Sequence, residues 1–189
     1  MGLSYLGGDS WNEITREERF FCLQLYNHIK TSGIKGFVHL LIDSGLDIPL
    51  ETNWEIGYEV CFYRDVLFSR NKPVQSRFQK RTFDLCLMSD EAIVVIEAKA
   101  AEGFKSDQLK SISADTREIN RLTKVSNIKT IAIHSSIYQP RETTKQYFDM
   151  SLSWKTLSKF YNSDPILARA DAIYRHKKTK EYKRGQNSG

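Results

Sequence analysis

Residues 81–101, RTFDLCLMSDEAIVVIEAKAA, constrain this chain more than any other stretch. They read as two strands, about 81–88 and 92–99, joined by a tight turn centred on Asp90–Glu91. The turn has no glycine, so a longer loop with the same centre is also compatible. Both strands carry charge where a buried strand would carry an aliphatic side chain. Asp84 interrupts Phe83–Leu85–Leu87, and Glu97 and Lys99 interrupt the apolar run that starts at Ala92. Ionised groups in a β core are costly unless they are paired or hold a metal. Centred on Asp90–Glu91, the hairpin sets Asp84 opposite Glu97 and Thr82 opposite Lys99, with Asp84, Glu97 and Lys99 on one face.

The flanking elements follow from periodicity. A helix is expected over 15–30, with Thr15 and Glu18 forming a capping box and Glu18, Phe21, Cys22, Leu25 and Ile29 on one face. A second helix is expected over 34–44, stopped by Gly45. Residues 54–68 alternate as one strand, with Trp54, Ile56, Tyr58, Val60 and Phe62 on one side and Glu55, Gly57, Glu59, Cys61 and Tyr63 on the other. Residues 69–80, with Arg70, Lys72, Arg77 and Lys80, read as a basic loop. Beyond the hairpin, a helix over 106–122 buries Leu109, Ile112, Ile119 and Leu122 and has Gln108 in its first turn. A short strand over 129–134, a brief helix over 141–146, a strand over 147–152 and a helix capped by Ser153 come next. Asp164–Pro165 then opens a last helix to about residue 175. The order implies an α/β fold, a mixed central sheet flanked by helices.

With 189 residues, 40% of them hydrophobic, the chain fits one globular domain over 1–168. The end of the last helix and a basic C-terminal tail occupy 169–189. That tail holds seven of the 28 basic residues and two of the 23 acidic ones, so it carries the whole net charge of +5. A basic tail suits nucleic acid or another anionic surface, or is a solvated end. No apolar run is long enough to span a membrane, and the first residues lack the features of a secretory signal. Cys22, Cys61 and Cys86 are odd in number and widely spaced, which gives neither a disulfide framework nor a zinc pattern. A reducing, cytoplasmic setting is expected.

An acid on one strand, with an acid and a lysine two apart on its neighbour, is a compact chemical set. Converging carboxylates hold hard divalent cations such as Mg²⁺ (or Mn²⁺), and the Ala98 carbonyl between them adds an oxygen. Lys99 on the same face suits charge stabilisation at a phosphate or activation of a water.

Asp84 followed by Glu97–Ala98–Lys99 resembles the D…(D/E)xK signature of the PD-(D/E)XK, or restriction-endonuclease-like, nuclease superfamily. The element order over residues 15–134 is similar to that family's αβββαβ core. The resemblance implies that Asp84 and Glu97 ligate the metal and that Lys99 assists the attacking water. It implies an acid from the first core helix that completes the metal shell, for which Glu18 is the matching position and Glu17 the alternative, and a polar residue early in the following helix, which Gln108 fits. Phe83 stands where many members carry proline. The expected activity is metal-dependent hydrolysis of phosphodiesters, with nucleic acid, most simply DNA, as partner; a homodimer or larger complex stays open. The alternatives are a nuclease fold used only for binding or scaffolding, and an unrelated α/β protein. In the latter Asp84 and Glu97 pair with Arg81, Lys99 or Arg64 for structure, and Glu18 and Gln108 are ordinary first-turn residues. Glu59 reads as an outward, solvated side chain and His134 as a satisfied core residue.

Overall fold

The computed structural model describes residues 10–69 and 81–174. The expected basic loop falls almost wholly on 70–80, and most of the basic tail on 175–189; both lie outside the described residues.

The elements run α1 (Trp11–Ile14), α2 (Glu18–Ser32), α3 (Ile34–Asp43), β1 (Glu55–Val60), α4 (Phe62–Ser69), β2 (Phe83–Met88), β3 (Ala92–Ala98), α5 (Ser106–Thr123), β4 (Asn127–His134), α6 (Glu142–Lys145), β5 (Met150–Ser153), α7 (Trp154–Phe160) and α8 (Pro165–Ala172). The strands form one open sheet in the order β1-β2-β3-β4-β5. β1, β2 and β3 are an antiparallel meander, and β4 and β5 continue parallel to β3. This is an α/β fold with a mixed five-stranded sheet.

Every residue of β3 is buried, because helices cover the central strand on both sides. Ala92, Val94, Ile96 and Ala98 join the larger core, with Phe21, Leu25 and Ile29 of α2, Phe37 and Leu41 of α3, and Trp154 and Leu157 of α7. Ile93 and Val95 join a smaller core on the opposite side, with Ile119 and Leu122 of α5 and Phe62 and Tyr63 of α4. The helical period over α5 places its buried residues where the sequence expects them.

The hairpin register is the expected one: Leu85 pairs with Ile96, Cys86 with Val95, Leu87 with Val94 and Met88 with Ile93. The glycine-free turn closes through Ser89. Its amide donates to the Ala92 carbonyl at 2.9 Å, and its hydroxyl accepts from the amides of Glu91 and Ala92 at 3.3 and 3.0 Å.

Two expectations are overturned. Residues 54–68 are not one strand. β1 ends at Val60 and α4 begins at Phe62. Glu59 adopts φ +53°, a left-handed backbone that kinks the strand one residue before its end. Ile56 and Tyr58 pack on the larger core while Val60 packs in the smaller one, so β1 changes face at Glu59. The Asp65 carboxylate then accepts from the Cys61 amide at 3.1 Å, and the Asp65 amide donates to the Cys61 carbonyl at 2.9 Å, which starts the helix.

The capping box does not form either. α2 begins at Glu18, its N-cap is Glu17, and no side chain caps it. Thr15 closes the short α1 instead, and its hydroxyl accepts from the Glu17 amide at 3.2 Å. The Glu18 side chain is thereby free to reach the sheet. The caps at the other end of the chain are as expected: Ser153 accepts from the Thr156 amide, and Asp164 from the Leu167 amide.

Candidate metal and phosphate site

The site gathers at the end of the hairpin. β2 exchanges faces beside Glu59: Leu85 and Leu87 lie in the larger core and Phe83 in the smaller one. Asp84 stands at the crossover, one step beyond the last hairpin pair, Leu85–Ile96. Its Oδ2 accepts from the Ala98 amide at 2.8 Å. A side-chain carboxylate therefore takes the amide that a strand carbonyl would take in a longer ladder. The expected Thr82–Lys99 pair does not form, because β2 starts at Phe83 and the Lys99 amide donates to Ile133 of β4 at 2.8 Å.

Glu97, buried and at the same end of the hairpin, points to α5. Its Oε1 accepts from Arg81 at 2.8 Å and its Oε2 from Gln108 Nε2 at 2.8 Å. Arg81 also donates to Asp115 at 2.5 Å, to the Gln108 carbonyl at 3.2 Å and to the Ser111 hydroxyl. Lys99 follows β3, and its Nζ donates to Glu18 at 2.6 Å and to the Ala98 carbonyl at 2.8 Å. Trp154 Nε1 donates to the Lys99 carbonyl at 2.9 Å and fixes the strand end against α7. Glu18, Lys99 and Gln108 line one cleft of about 280 Å³, together with Arg16 and Lys105.

Electrostatics separates the two core acids. Burial and then the charge of Glu97 push the Asp84 carboxyl up to about 7; the Ala98 amide opposes this and Glu18 adds to it. Glu97 is also raised, by burial, although Arg81 pulls it down strongly. Burial draws the Lys99 ammonium down, but Glu18, Asp84 and Glu97 together outweigh it and leave Lys99 above its usual value. The lysine is thus held as a cation among three acids. Two like charges drawn out of water, Asp84 eased by Lys99 and Glu97 by Arg81 without cancelling the rise in either, suit an added cation. Among the described residues no three His, Cys, Asp or Glu side chains stand close enough together to hold a metal ion. An ion here would therefore rest on Asp84, Glu97 and the Ala98 carbonyl, with water in the remaining positions, the arrangement Mg²⁺ accepts. Glu18 is engaged with Lys99.

All five side chains singled out in the sequence, Glu18, Asp84, Glu97, Lys99 and Gln108, come to this corner, and the Glu17 side chain is exposed. Glu59 falls between the β1–β2 pairs Tyr58–Leu85 and Val60–Phe83, opposite Asp84, and its carboxylate is in an ion pair with exposed Arg19 at 3.3 Å. His134 Nδ1 donates to the Ser135 carbonyl at 2.9 Å, but its buried Nε2 has no hydrogen-bond partner among the described residues, so it is only half satisfied. Arg64 pairs with Asp65 at 2.6 Å, away from the acids. Asp115 was not singled out in the sequence. Its spacing from Gln108 and Ser111, seven and four residues along one helix, is the signal that places all three on one face.

The three cysteines are buried and free. No helix of the described residues is long and apolar enough to cross a membrane. Comparison with protein-family models, curated proteins and solved structures gives no significant match.

Proposed function

We propose that this protein is a metal-dependent nuclease of the PD-(D/E)XK type, with a restriction-endonuclease-like core, that hydrolyses phosphodiester bonds, most simply in DNA. One observation carries the reading. Asp84 and Glu97 stand at the same end of the hairpin, one step beyond the Leu85–Ile96 pair, and Asp84 is pushed up to about 7 by burial and by the charge of Glu97. That pair would be relieved by a divalent cation bound through Asp84, Glu97 and the Ala98 carbonyl. Such a cation, Mg²⁺ or Mn²⁺, would supply Lewis-acid polarisation of the phosphate and acidify a bound water.

The chain's own groups complete the chemistry. Lys99, kept protonated by Glu18, offers its ammonium to negative charge developing on the phosphate oxygens. Its raised pKa favours this electrostatic role over that of a general base. Glu18 positions Lys99, and Gln108 positions Glu97. Water adds to phosphorus as the ester oxygen leaves.

A second reading rests on Arg81. Its guanidinium already meets Glu97 Oε1, as a structural cation would, which favours a nuclease fold used as a nucleic-acid-binding or scaffolding subunit. The test separates the two. Purified protein is incubated with single- and double-stranded DNA in Mg²⁺, Mn²⁺ or EDTA, beside Lys99→Ala and Asp84→Ala. Metal-dependent cleavage lost in both variants supports the enzyme. Binding with no cleavage in any metal supports the second reading.

A further inference from the structure

Beside the site a larger groove opens, of about 980 Å³, between the loop after β3, the start of α5 and the segment after β4. It shares Ala101, Glu102, Gly103 and Lys105 with the cleft that holds Glu18, Lys99 and Gln108, so the two are continuous. Its aromatic lining is Phe104, Tyr138, Tyr147 and Tyr174, all partly exposed. Three of these rings form a row that begins at the site. Lys99 Nζ lies 5.9 Å from the Phe104 ring centre, Phe104 lies 6.3 Å from Tyr138, and Tyr138 lies 5.4 Å from Tyr174. Successive rings are tilted by 53° and 56°, so they present separate faces rather than one sealed stack. Among the described residues, exposed Lys105, Lys110 and Arg141 line the same groove against a single acid, Glu102.

We infer that this groove binds single-stranded nucleic acid and leads it to the site. Partly exposed ring faces capture unpaired bases, which a duplex keeps within its own stack. The three cations match the phosphates of a polyanion. Gly103 suits the arrangement: a Cβ there would meet the Tyr138 ring at 2.6 Å, so a larger residue would push that ring aside. The inference deepens the nuclease reading, on which it rests for the destination of the strand; the binding itself is tested without it.

The experiment uses the full chain in EDTA and fluorescein-labelled oligonucleotides as single-stranded DNA, single-stranded RNA and duplex, read by fluorescence anisotropy. The single strands are expected to bind tighter than the duplex. Tyr138→Ala and Tyr174→Ala should each weaken single-strand binding by between about fivefold and about a hundredfold. Exposed Lys110→Glu with Arg141→Glu should weaken it and flatten its salt dependence. Gly103→Ala, which removes neither ring nor charge, should weaken it by displacing Tyr138. Melting curves screen each variant for folding, and the exposed charge variants carry the test should a tyrosine variant unfold. Duplex binding as tight as single-strand binding, or folded variants with unchanged affinity, overturns the inference. Metal-dependent cleavage with unaltered groove variants would leave the nuclease reading standing while removing the groove. Groove-dependent binding with no cleavage in any metal does the reverse.

Discussion

Arg81 ties Glu97 to Asp115, with guanidinium nitrogens 2.8 Å from one carboxylate and 2.5 Å from the other. Glu97 is therefore compensated from the α5 side, while among the described residues no basic side chain donates to Asp84, whose hydrogen bond comes from the Ala98 amide. The two acids of the candidate centre thus enter it in different electrostatic states. Replacing Arg81 by Met leaves buried Glu97 and half-buried Asp115 without their cation, a loss of about 3–5 kcal/mol in the absence of metal. Melting in EDTA should fall by roughly 6–20 °C. Mn²⁺ should restore part of the loss, because Glu97 Oε1 becomes free for it. A deficit that stays constant through a Mn²⁺ titration would remove Glu97 from the metal site.

The Asp84 carboxyl has a worked-out pH signature. Its folded value of about 7 lies above the roughly 3.9 of an unfolded aspartate, so the native state binds this proton more tightly. Stability from this group is full below about pH 4, declines as pH rises towards 7, and levels off above it. The decline is on the order of 4 kcal/mol. Glu97 and Asp115 are raised as well and tilt the curve the same way. Asp84→Asn keeps an acceptor for the Ala98 amide and isolates the contribution. In metal-free buffer the variant should melt higher than the wild type at pH 8 and equal to it near pH 4. The stabilisation by Mg²⁺ or Mn²⁺, larger at pH 8 than at pH 5 in the wild type, should vanish in the variant. A wild-type melting temperature that climbs from pH 5 to pH 8 without metal would falsify this assignment.

On the nuclease reading, Lys99 serves transition-state charge rather than metal binding. Lys99→Ala should slow single-turnover cleavage by about 10²–10³, the usual effect of losing one preorganised donor. Mn²⁺ affinity, measured by calorimetry, should hold or rise, since a competing cation leaves the Ala98 carbonyl. Parallel loss of metal binding and cleavage would make the lysine a structural element instead.

Glu18 and Glu17 are distinguished by the same logic. Glu18→Gln weakens the contact that keeps Lys99 charged, so the alkaline limb of the cleavage profile should move to lower pH. Glu17→Gln, on an exposed side chain at the helix start, should leave the profile in place. A pH–rate profile for each variant decides which acid serves the site.

The parts of the fold legible in the sequence are those fixed by short-range counting. The hairpin register followed from its turn, and Ser89 supplied with its hydroxyl what a glycine would have supplied with its backbone. The buried positions of α5 followed from the helical period. The illegible parts arise where two periods fit the same residues. Phe62, Tyr63 and Val66 satisfy an extension of β1 and a helical stripe equally well, and the positive φ that decides between them falls on Glu59, a residue with no local signal for it. Long side chains were illegible in another way. Strand parity gives the direction of a Cβ, but Arg81 uses its length to bridge β3 and α5, and Lys99 to reach α2. The site was therefore readable as a set of residues but not as a set of partners.

Ala98 contributes no functional side chain, yet its amide holds Asp84 and its carbonyl holds Lys99, while its methyl group is fully enclosed by the larger core. The chemistry is thus gripped by a peptide unit whose position is set by hydrocarbon packing. An uncharged enlargement such as Ala98→Val would shift both polar partners at once. Vulnerability at this corner extends into the apolar interior, where a loss-of-function change need not alter a single charge.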